Sequence, residues 1–72
     1  MTFDPIAFSQ WLRAERMQQG YSLRDLANRA GLHNTTLSYI ESKSQDVTLG
    51  KFCAICEALN ADPVTKLKEF LK

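Results

Sequence analysis

Ser22-Leu23-Arg24-Asp25-Leu26-Ala27-Asn28-Arg29-Ala30-Gly31-Leu32-His33-Asn34-Thr35-Thr36-Leu37-Ser38-Tyr39-Ile40-Glu41 is the stretch that decides the fold. Ser22 followed three residues later by Asp25 is an acidic variant of the capping box, which places a helix start here. Leu26, Ala27 and Ala30 recur at helical spacing and are expected to face inward. Gly31 then ends the helix, because glycine tolerates the left-handed backbone of a helix stop. A second helix is predicted from about Asn34 to Glu41, with Leu37 and Ile40 inward. Ala27 precedes Gly31 by about one turn, where a small side chain lets the two helices cross closely. Such a pair holds its second helix proud of the body, so its outer face can enter a groove about 12 Å wide.

Working outward, three more helices are expected. The first opens near Asp4-Pro5, since proline suits the first helical turn, and runs to about Gln19, where Gly20 stops it. Ile6, Phe8 and Leu12 are expected on its inner side. The fourth is capped by Thr48 and carries Leu49, Phe52, Ile55, Cys56 and Leu59 on one broad face. Asp62-Pro63 opens the fifth, with Val64, Leu67, Phe70 and Leu71 as its apolar positions. Only three glycines and two prolines occur, and β-branched residues form no alternating runs. The expectation is an all-α, five-helix single domain over residues 1–72, with no repeats or linkers.

The 72 residues suffice for one compact domain, and 44% hydrophobic with 24% charged residues is ordinary globular composition. No apolar run approaches the roughly 18 residues of a membrane span, and the N-terminus has no basic segment leading into an apolar core. A cytoplasmic location is expected. Nine Lys plus Arg against eight Asp plus Glu leave a formal charge of +1, so charge alone does not point to nucleic acid.

The motifs point there instead. Gly20-Tyr21-Ser22-Leu23-Arg24-Asp25-Leu26-Ala27, Ala30-Gly31-Leu32 and Thr36-Leu37-Ser38-Tyr39-Ile40-Glu41 resemble the lambda-repressor-like (Cro/repressor, XRE) helix-turn-helix family. So do Thr48-Leu49, Phe52, Ile55, Cys56, Ala58 and Leu59, and the likeness spans about Phe8 to Leu59. The resemblance implies a DNA-binding regulator of transcription, usually dimeric on a pseudo-palindromic operator. It also implies an internal ion pair between Arg16 and Glu41. Carried over residue by residue, base reading falls to Asn34, Thr35, Ser38 and Tyr39, and phosphate binding to Arg24, Thr36, Lys43 and Lys51. The chemistry suits those roles. An asparagine amide pairs bidentately with adenine, and a threonine methyl can meet thymine. Four positions depart from the family's pattern. Leu23 stands where glutamine is frequent, His33 at a position usually Ser or Thr, Lys43 where glycine is common, and Val47 for a frequent proline.

Nothing suggests an enzyme. Cys53 and Cys56 form a C-x-x-C, but inside a predicted helix, without a βαβ setting or enough partners for zinc, so packing is the expected role. His33 is the only histidine and reads as an exposed cap or phosphate neighbour. No cofactor and no metal are expected. The apolar positions of the fifth helix exceed what one stripe needs to cover a small core. Val64, Leu67, Phe70 and Leu71 are therefore the expected homodimer interface, while Trp11 is expected in core or N-terminal packing with Phe3 and Phe8 or, alternatively, beside that partner surface.

The expected function is a repressor or activator that binds a double-stranded operator as a homodimer, and the short chain resembles phage Cro-type regulators, controllers of restriction-modification systems and antitoxins alike. No ligand-sensing or self-cleaving domain is expected. Beyond DNA, the partners such brevity suggests are RNA polymerase or a cognate toxin. The alternative is an antitoxin-like protein-interaction module on the same fold.

Overall fold

Four of the five helices begin where a side chain closes the first turn. The computed structural model describes residues 1–72. Helix α1 (Pro5–Gln18) starts on Asp4, whose carboxylate accepts the Ala7 N–H at 3.0 Å. Helix α2 (Leu23–Ala30) carries both bonds of its capping box, Asp25 N–H to the Ser22 hydroxyl and Ser22 N–H to the Asp25 carboxylate. Helices α4 (Leu49–Ala58) and α5 (Pro63–Phe70) open on Thr48 and Asp62. Each such cap stabilises by about 1 kcal/mol. Helix α3 (Asn34–Lys43) differs: His33 has the extended backbone of an N-cap, but its side chain makes no cap bond. Gly31 ends α2 at φ +70°, a conformation costly for any residue with a Cβ, and thereby sets the turn into α3.

The helices close over one core. Phe8, Leu12, Leu26, Leu37, Phe52, Ile55, Cys56 and Leu59 are fully buried, and Ala27 sits where α2 meets its neighbours. The α2–α3 pair rests on α4 and α1. At the other end, Phe3, Phe8, Trp11, Phe52 and Phe70 form an aromatic cluster with neighbouring ring centroids 4.9 to 6.4 Å apart.

Three expectations need correction. Phe70 is only 6% exposed and lies inside that cluster, so it is no part of an exposed dimer surface. The residue that draws it in comes from the opposite end of the chain. Phe3 packs against Phe70, while Thr2 and Lys72 exchange backbone bonds of 2.6 and 2.7 Å, and Phe3 forms a β-bridge with Leu71. Leu71 is thereby half-buried. Ile6 is 58% exposed rather than inward. At about 100° per residue it lies roughly 200° round the helix from Phe8. Leu49, 63% exposed, stands at the first turn of α4, beyond the edge of the core.

Candidate nucleic-acid interface

Helix α3 is held from beneath by an ion pair that crosses the fold. Arg16 Nη2 donates to Glu41 Oε1 at 2.8 Å and Arg16 Nε to Oε2 at 3.0 Å, a bidentate arrangement of fixed geometry. Arg16 Nη1 donates to the Tyr21 carbonyl at 2.7 Å, so one guanidinium joins α1, the entry to α2 and the C-terminal half of α3. The side chains are 14% and 7% exposed, and the Glu41 bond raises the Arg16 pKa above its ordinary value. A second tie lies at the end of α3. Buried Ser9 donates to the Ile6 carbonyl, and its Oγ lies 2.9 Å from that of Ser44, the residue that ends α3 at φ +50°. Neither tie uses a side chain of the outer face.

That outer face is polar and open. Asn34, Thr35, Tyr39, Ser42 and Lys43 are exposed; Ser38 and Thr36 are half-buried at its two edges. Lys43 Nζ lies 4.8 Å above the Tyr39 ring, a cation–π contact that holds the ring and the charge together. A cleft runs along each flank of the helix. One, of about 230 Å³, is lined by Arg13, Arg16, Leu23, Ser38, Glu41 and Ser42. The other, of about 170 Å³, is lined by Thr36, Tyr39, Ile40, Gln45, Asp46 and Lys51. Arg24 is exposed in the first turn of α2.

The residues expected to read bases thus lie along one helix. Of those expected to bind phosphate, Thr36 and Lys51 share the second cleft, and Lys43 stands above the ring of Tyr39. Arg24 stands apart on α2. Residues 12–65 match the family model for the helix-turn-helix. The chain belongs to the lambda-repressor-like helix-turn-helix family. DNA binding in the regulation of transcription goes with that family. No curated protein matches it in sequence.

Solved structures of this helix-turn-helix type superpose over most of the chain. The restriction-modification controller protein C.AhdI from Aeromonas hydrophila is 28% identical with a TM-score of 0.77, covering 83% of this chain and 91% of its own. The nucleoprotein complex C.Esp1396I is 28% identical with a TM-score of 0.81, over 100% of this chain and 99% of its own. SinR, a master regulator for biofilm formation solved in complex with DNA, is 30% identical with a TM-score of 0.73, over 82% and 98%.

Away from the helix-turn-helix, Leu49, Phe52, Cys53, Pro63, Val64 and Leu67 line an apolar groove of about 200 Å³ between α4 and α5. Val64 is 62% exposed. Leu49 and Cys53 were not among the expected interface residues, because their exposure depends on how α5 lies across α4. The second cysteine of the C-x-x-C is part of the core. Burial, with Cys53 next, pushes the Cys56 thiol up to about 12, so it stays protonated and inert at neutral pH. Arg13, Gln45 and Asp46 were also missed as neighbours of α3. No local pattern marks them; the fold brings them to its flanks. No helix is long and apolar enough to cross a membrane.

Proposed function

We propose that the chain regulates transcription by binding a pseudo-palindromic operator as a homodimer, with α3 of each copy in the major groove. The observation that carries this reading is the division within α3. Its inner side is fixed by Leu37, Ile40 and the Arg16–Glu41 pair, leaving Asn34, Thr35, Ser38 and Tyr39 free to meet bases. Asn34 offers adenine a paired donor and acceptor, Thr35 offers thymine its methyl, and Tyr39 adds a ring face and a hydroxyl. Arg24, Thr36, Lys43 and Lys51 hold phosphates and set the register.

One recognition helix covers only a few base pairs, too few to select one site in a genome. A second copy supplies the rest. The apolar groove between α4 and α5 supports an interface built on Leu49, Cys53, Val64 and Leu67, displaced from the Phe70 side of α5. A two-fold axis through it would relate half-sites by about 10 base pairs, roughly 34 Å. That C.AhdI is a restriction-modification controller and that SinR was solved on DNA favour the regulator over a module that binds only proteins.

Selection from a pool of random duplexes tests the reading. Enrichment of an inverted repeat with half-sites one helical turn apart is expected, and a pool that yields no preferred sequence contradicts it. Sedimentation with the selected duplex checks the stoichiometry. Two chains per duplex is expected, and one chain at saturation would contradict the dimer.

A further inference from the structure

The two clefts beside α3 lie on opposite sides of the same helix. At about 100° per residue, Ser38 and Glu41 face one flank, and Thr36 and Tyr39 the other. A helix seated in a major groove has a phosphate strand along each flank. The α4 side has an expected phosphate ligand in Lys51. On the α1 side, the expected ligand Arg24 is not among the lining residues, and Leu23 offers the cleft no polar side-chain atom. Each guanidinium nitrogen of Arg16 already bonds within the fold, Nε and Nη2 to Glu41 and Nη1 to the Tyr21 carbonyl, and its charge is matched by Glu41.

Arg13 remains. It stands about one turn before Arg16 on α1, is exposed, lines the cleft, and has no carboxylate partner among the ion pairs of the chain. The acidic residue in the cleft, Glu41, is neutralised by Arg16, so the cleft as a whole carries one uncompensated positive charge. Ser38 and Ser42 add hydroxyls along the α3 wall, although the Ser42 hydroxyl already donates to the Ser38 carbonyl.

We propose that Arg13 is a DNA-positioning residue, its guanidinium holding a backbone phosphate at the cleft between α1, the start of α2 and α3. This rests on the DNA reading above. It makes α1 part of the interface, opposite Lys51, so that α3 is gripped from both sides. The fork of an arginine suits phosphate geometry, and an arginine with no internal partner gives up none to bind it.

Titration of the full chain against a mixed-sequence duplex over a salt series tests the assignment. Arg13→Ala is expected to bind about tenfold more weakly per chain near 0.1 M salt and to lower the slope of log affinity against log salt by about 0.9 for each chain bound. The same loss should appear on the selected operator. Arg13→Lys should restore most of the slope, and all three proteins should melt alike, which a purely structural role would not produce. Parent affinity and parent slope in Arg13→Ala would overturn the proposal, as would a loss confined to the selected sequence. A parent chain without salt-dependent binding to any duplex would instead remove the DNA reading itself.

Discussion

The outer face of α3 and the groove between α4 and α5 are both open to solvent, yet they are made of opposite chemistry. The first presents amide, hydroxyl and cationic groups with one ring; the second presents leucine, valine, proline and a thiol. They also differ in what stands behind them. Beneath α3 lie a bidentate ion pair and a hydroxyl pair, directional contacts that fix the helix at a set angle. Behind the α5 side lies an aromatic cluster sealed by the two chain ends, which holds α5 by packing. A surface that reads hydrogen-bond patterns needs angular precision. One that buries apolar area needs shape, and side-chain packing supplies it.

The largest expected effect is on the packed side. Phe70→Ala should lose about 3–5 kcal/mol of stability in denaturant melts, because it empties the middle of the aromatic cluster. A loss under about 1 kcal/mol would return Phe70 to the surface role that its helical position suggested. Glu41→Ala probes the directional side. It strands a guanidinium that is 14% exposed, and the expected cost is about 3 kcal/mol, at the lower end for buried pairs because Tyr21 still accepts one bond. A loss under about 0.5 kcal/mol would show that the pair does not hold α3.

Val64→Glu separates the groove from the core. Val64 is 62% exposed, so monomer stability should change by no more than about 0.5 kcal/mol while cooperative binding to two half-sites is lost. Unchanged cooperativity would move the dimer interface elsewhere. The smallest effect is electrostatic. The Asp4 carboxyl is held below its ordinary 3.8 by the Ala7 N–H and then by Lys72, and that of Asp62 by the Thr65 hydroxyl and N–H. Depressed carboxylates contribute stability that is present above the unfolded value and lost as pH falls through the folded one. The melting temperature should therefore drop as pH falls below about 4. Asp4→Asn with Asp62→Asn should flatten that drop. An equal drop in the double variant would place the acid sensitivity elsewhere.

The contrast between the regions also explains what was legible in the sequence. Ser22 with Asp25, Thr48, and Asp62 with Pro63 mark helix starts correctly because a cap bonds within three residues of itself. Gly31 marks the turn for an equally local reason. Phe70 was misplaced because its partners Phe3 and Phe8 lie more than sixty residues away, and helical periodicity sees only neighbours. Ser9 and Ser44, 35 residues apart, were invisible for the same reason. The Arg16–Glu41 pair spans 25 residues and was reached only through the family resemblance.

In the proposed complex α3 reads bases while its flanks hold phosphates, and affinity measured across many sequences separates the two roles. Asn34→Ala and Lys51→Ala are compared with the parent on the selected operator, on its single-base variants and on mixed-sequence duplex. Asn34→Ala should cost about 1–3 kcal/mol on the operator and relax selection at one position of each half-site, leaving mixed-sequence binding nearly intact. Lys51→Ala should weaken every sequence alike and reduce the salt slope by about one charge for each chain bound. Equal losses by both variants on every sequence would contradict the division, and with it the reading of this helix-turn-helix as sequence-specific.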